Sequence, residues 1–70
     1  MSSQIDTLVK MINQIADNAP RQETPEATAE AVASHLKKFW AKPMKEEMRA
    51  YVEAGGVGLN EVAAEAALRL

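Results

Sequence analysis

Prolines and glycines cut this chain into short lengths, and between the cuts the apolar residues recur at helical rather than alternating spacing. Pro20, Pro25, Pro43 and the pair Gly55-Gly56 are the punctuation. Ahead of the first proline, Ile5, Leu8, Val9, Ile12, Ile15, Ala16 and Ala19 fall at the i, i+3, i+4, i+7 spacing of one helix face. A Ser3-x-x-Asp6 capping pattern precedes them. The spacing predicts a helix over about 4–18, stopped by Pro20, and the polar, proline-bounded stretch "DNAPRQETP" reads as a loop.

Thr24-Pro25-Glu26 opens the next helix for three separate reasons. The threonine hydroxyl caps a free backbone N–H, proline at the first helical position loses no hydrogen bond, and glutamate meets the positive end of the helix dipole. This helix is predicted over about 25–40. With Leu36 as origin and about 100° per residue, Ala29, Val32, Ala33, Phe39 and Trp40 lie within roughly 60° of it, so both aromatics flank one apolar stripe while Lys38 points away. Pro43 ends that run at a corner near Ala41-Lys42 and opens a third helix, about 43–54. There Met44, Met48, Tyr51 and Val52 share a face until Gly55-Gly56 provides a left-handed C-cap. Asn60 and Glu61 then start a short fourth helix, about 61–69. Val62, Ala63, Ala66 and Leu70 lie on one side of it and Leu68 on the other, a pattern that leaves a monomer with an apolar surface or a frayed end. No strand alternation, repeat or low-complexity run is present. The fold class is all-α: a small bundle of three main helices and a short C-terminal one, in a single domain over 1–70.

The bundle has little to build with. Apolar residues make up 47% of the chain, but thirteen of them are alanines, which bury little area each. Domains of about this size usually add disulfides, a metal or a partner. With no cysteine, and one histidine without a second ligand at zinc spacing, the residues argue against the first two, and association with a partner is the staple left. The N-terminus lacks a basic stretch followed by an apolar run, and no stretch approaches the roughly eighteen apolar residues of a membrane span, so the chain reads as soluble and cytoplasmic with no membrane partner. A net charge of −2 argues against a dedicated nucleic-acid binder.

Catalytic chemistry is sparse. His35 is the one imidazole; Ser34 next to it points about 100° away on a helix and does not face it. Glu46-Glu47 and Asp6 read as solvated helix faces. "GGVG" follows a helix and lacks the glycine-lysine spacing of a phosphate loop, so helix termination accounts for it. No metal, cofactor or catalytic residue is expected. Lys37, Lys38, Lys42 and Lys45 form a basic patch beside the aromatics, and a minor single-stranded nucleic-acid contact is one reading of it. Phe39 and Trp40 admit two readings: a small hydrophobic core, or an anchor for a partner, since aromatics and methionine are enriched in interface cores; the two can hold together, with one ring inside and the other at the seam.

The order of three stretches, "LVKMINQIA" (Leu8 to Ala16), "VASHLKKFWAKPM" (Val32 to Met44) and "AGGVGLN" (Ala54 to Asn60), followed by an alanine-rich end, resembles the delta subunit of cytoplasmic NAD-dependent formate dehydrogenases. The resemblance spans nearly the whole chain. It departs from that family's pattern at Asp17-Asn18, where aromatics are usual, and at Glu61 to Glu65, where a proline and larger aliphatics are usual. What it implies is an accessory subunit without a redox centre, associated with a large molybdenum- or tungsten-containing catalytic subunit and its iron–sulfur and flavin partners, supporting assembly or stability. Together with the residue reading it designates a partner-binding corner: Leu36, Phe39, Trp40, Pro43 and Met44, rimmed by His35, Lys37 and Lys38. The rival from composition alone is a self-associating helical adaptor, a homo-oligomer through the same stripe.

Overall fold

The computed structural model describes residues 4–70. Among them run four α-helices: α1 Gln4–Asn18, α2 Pro25–Phe39, α3 Lys42–Glu53 and α4 Glu61–Leu68. The expected boundaries hold to within about one residue, and the all-α class stands. The Ser3 capping pattern lies outside the described residues.

Each start and stop has a local cause. Thr24, in extended conformation, accepts a hydrogen bond from the Ala27 N–H at 3.0 Å, and Pro25 follows as the first helical residue. Thr28, almost fully buried, ties the preceding loop down: its hydroxyl accepts from the Gln22 N–H at 2.9 Å and donates to the Thr24 carbonyl at 3.2 Å. That leaves the buried hydroxyl fully paired, as a polar group removed from water must be. At the end of α3 the Gly56 N–H reaches the Tyr51 carbonyl and the Gly55 N–H reaches that of Val52, the two crossing bonds of a Schellman stop. Gly56 has φ +62, and a Cβ there would come within 3.3 Å of the Val52 and Leu59 side chains.

The core is built from the predicted faces. Leu8, Ile12 and Ala16 of α1, Ala29, Val32, Ala33 and Leu36 of α2, and Met48 of α3 are buried together. Met44, Tyr51 and Val52 pack against them half-buried, as the third helix's spacing predicts. The fourth helix departs from expectation. Rather than a frayed appendage it is the central element: it packs most extensively on α2 and also meets α3 and α1. Ala63, Ala66 and Ala67 are fully buried and Val62 nearly so. Alanine buries little area, but its small side chain lets two helix backbones approach closely, and Ala29 and Ala33 offer equally small residues on α2. Low hydrophobic volume in the sequence is thus converted into close helix contact. Leu68 does lie outward, 44% exposed, whereas Leu70 packs back on the core.

A polar clasp holds the entry to α4 against α1. Asn60 caps α4 by accepting from the Ala63 N–H at 2.7 Å. Its own backbone N–H donates to Asn13 Oδ1 at 2.9 Å, its Nδ2 donates to the Asn13 carbonyl and to Asp17 Oδ1, and Asn13 Nδ2 donates to the Gly58 carbonyl at 2.8 Å. The Tyr51 hydroxyl donates to the Val57 carbonyl in the same loop. This loop is therefore anchored from both sides, by α1 and by α3.

Candidate partner interface

The corner between α2 and α3 separates the two aromatics. α2 ends at Phe39, and Trp40 leaves the helix with φ −84 and ψ 142, its N–H still bonded to the Leu36 carbonyl at 2.8 Å. The turn carries the Trp40 ring inward, to 7% exposure, beside fully buried Leu36. Phe39 goes the other way and is 66% exposed. Both rings lie beside the stripe as the spacing predicts, but only Trp40 is buried. Phe39 lies about 60° to one side of Leu36, at the edge of the stripe, and an edge position is buried only where a neighbour reaches it. At the other end of α2 the loop reaches over the same edge and buries Thr28; at Phe39 nothing does.

The exposed ring is not loose. His35, one turn earlier, stacks against it with centroids 4.7 Å apart and planes inclined by 43°. The Lys38 ammonium stands 5.7 Å from the ring centroid, within cation–π range. Lys37, Lys38 and Lys42 are exposed, whereas Lys45 turns back and donates to the Lys37 carbonyl at 3.0 Å, occupying an open acceptor at the end of α2. Pro43 is exposed in the first turn of α3 and Met44 is half-buried beneath it. Of the eight residues designated from sequence, the structure therefore places Leu36 and Trp40 within the core, Met44 at its margin, and His35, Lys37, Lys38, Phe39 and Pro43 on the surface.

Adjoining His35, the seam between α1 and α2 is open. A groove of about 520 Å³ runs there, lined by Ile15, Ala19, Ala31, Val32 and His35 among others. Other exposed apolar residues are Met11, Val57 and Leu68. Val57 sits alone at a loop tip, which needs no explanation; Phe39 differs in being the largest and in having two side chains arrayed on it. Among the described residues no group of three or more histidine, cysteine, aspartate or glutamate side chains is placed to hold a metal, and no helix is long and apolar enough to cross a membrane.

Sequence reasoning missed the Asn13–Asn60 clasp. Asn60 is recognisable as a cap, but nothing in a single sequence announces that its partner lies 47 residues earlier. The clasp gives the first and third of the three characteristic stretches a shared structural task, and leaves the middle one, with Phe39, as the surface feature.

Searches among curated proteins and among solved structures gave no significant match. The model of the NADH-dependent formate dehydrogenase delta subunit family (FdsD) matches residues 7–67, spanning α1 to α4 with the corner and the clasp included. The chain belongs to the NADH-dependent formate dehydrogenase delta subunit family.

Proposed function

We propose that this protein is a non-catalytic accessory subunit of a cytoplasmic formate dehydrogenase, which binds the large molybdenum- or tungsten-containing subunit and supports its assembly or stability. It brings no cofactor of its own. The contact is made by the surface of the α2–α3 corner: Phe39 as anchor, with His35, Lys37, Lys38 and Pro43 around it. Leu36, Trp40 and Met44 hold that surface from beneath.

One observation carries this reading. In a member of a dehydrogenase subunit family, the residue best suited to anchor a partner is held outward, with an imidazole on its ring and an ammonium over it. A small domain short of large apolar side chains would gain by burying a phenylalanine; leaving it exposed forgoes about 1.5–3 kcal/mol, which becomes available to a complex. That amount corresponds to roughly ten- to hundredfold in affinity.

The test is co-expression of the tagged chain with the other subunits, followed by an assay of formate-dependent NADH formation with and without it. Co-elution of the large subunit, and lower or shorter-lived activity when the chain is omitted, is the expected result. A chain that elutes as a homodimer while the dehydrogenase is indifferent to it would overturn the proposal in favour of a free-standing adaptor.

A further inference from the structure

The charges of this chain are unevenly placed. From His35 to Lys45 there are four lysines and neither aspartate nor glutamate. The rest of the chain carries four cations against ten acids, a net −6, while the whole chain is −2. Among the described residues the lysines of the corner are also outside any ion pair. The ion pairs among those residues are Arg49–Glu53 and Arg69–Glu65, each between residues four apart in the chain, and neither involves the corner. Lys45 is engaged with a carbonyl, and Glu46 shares a groove with Lys37 and Lys42 without an ion pair to either. Lys37, Lys38 and Lys42 therefore stand exposed at the corner, Lys38 over the exposed Phe39 ring and Lys37 and Lys42 along the groove they share with Glu46.

We infer that the corner docks an acidic segment of the large catalytic subunit, with aspartate or glutamate side chains facing Lys37, Lys38 and Lys42 and an apolar side chain covering Phe39. The inference rests on the accessory-subunit reading and adds the chemistry of the surface it meets. Complementary charge at such a rim steers the encounter and sets the orientation, while the buried ring supplies most of the holding energy. The acidic remainder of the chain has the complementary role of repelling the wrong orientation, because turning any other face toward an acidic segment sets like charges together. A long polyanion fits less well. Nucleic acid extending past the three lysines would run onto the acidic remainder, and one face of the ring that a base would stack on is occupied by His35.

The experiment measures the affinity of the full chain for the purified large subunit at two salt concentrations. It compares wild type with the triple reversal Lys37→Glu, Lys38→Glu, Lys42→Glu and with Phe39→Ala. All four positions are exposed, so circular dichroism should be unchanged in both variants. Raising salt from about 50 to about 300 mM should weaken wild type by about tenfold or more, since exposed charges are screened over that range. The triple reversal should weaken binding by about a hundredfold at the lower salt. Phe39→Ala should lose about tenfold or more at both salts, leaving the salt dependence in place. Wild-type binding that ignores salt, with the triple reversal as tight as wild type, overturns the inference and leaves the accessory reading standing. No wild-type binding at either salt overturns the accessory reading itself. Tighter retention on single-stranded DNA than on the subunit, lost in the triple reversal, would reassign the corner to nucleic acid.

Discussion

The two seams of α2 are built by opposite rules. Against α4, the helix presents Ala29 and Ala33 to Ala63, Ala66 and Ala67, and every one of these is buried. Along α1, the groove past Ile15 and Val32 stays open as far as His35, and one turn further on Phe39 stands in solvent. Five alanines of this seam are thus in the interior while Phe39, one of the largest apolar side chains, is outside. Along the α4 seam, burial follows how closely the backbones approach rather than how much apolar area each residue offers. A surface phenylalanine is then no sign of a poor core, because the core closes without it.

That contrast can be broken from either side. The largest expected effect is Trp40→Ala. The ring belongs to the core and Trp/Phe truncations at such sites cost about 3–5 kcal/mol, enough in a domain of this size to lower the helical circular-dichroism signal and the thermal midpoint together. Next comes overpacking of the close seam. Ala66→Leu puts a branched side chain where the present methyl is already fully buried and should destabilise by about 1–3 kcal/mol in urea unfolding, despite being a more hydrophobic residue. If Ala66→Leu stabilised the protein, the close-approach account of α4 would be wrong.

Smaller, but more specific, is the clasp. Asn60→Ala removes the α4 cap and the side-chain bonds to the Asn13 carbonyl and Asp17, leaving the backbone bond to Asn13 Oδ1, and a loss of about 1–2 kcal/mol is expected. Asn13→Ala removes the other half of the clasp, the acceptor for the Asn60 N–H and the donor to the Gly58 carbonyl, and should cost about 1–2 kcal/mol in urea unfolding; no loss would mean that the clasp does not hold the loop. Smallest of all is Phe39→Ala, for which stability should stay within about 0.5 kcal/mol of wild type.

What was readable in the sequence follows the same division. Helix limits, the Thr24 and Asn60 caps and the glycine stop after α3 are local, and each came from a residue type with one physical role at one position. The core faces of α1 and α3 came from periodicity. The sides of α4 came from periodicity too, with Val62, Ala63 and Ala66 inward and Leu68 outward, but its central place did not, because its weight in the fold depends on what small residues on α2 allow. For the corner, sequence placed both Phe39 and Trp40 beside one stripe. Adjacent in sequence and both near the stripe, they part because the helix ends between them, and only the three-dimensional course of the chain at Trp40 decides which turns inward. The clasp was beyond reach for a related reason: its partners are distant in the chain and polar, so neither period nor capping rule joins them.

The central claim is that Phe39 serves a partner and Trp40 the fold, and the most direct measurement is co-purification of the large catalytic subunit with the tagged Phe39→Ala chain, alongside its thermal unfolding. A chain that unfolds as wild type does but retains markedly less of the large subunit is the predicted result. Full retention of the subunit by a normally folded Phe39→Ala chain would contradict it.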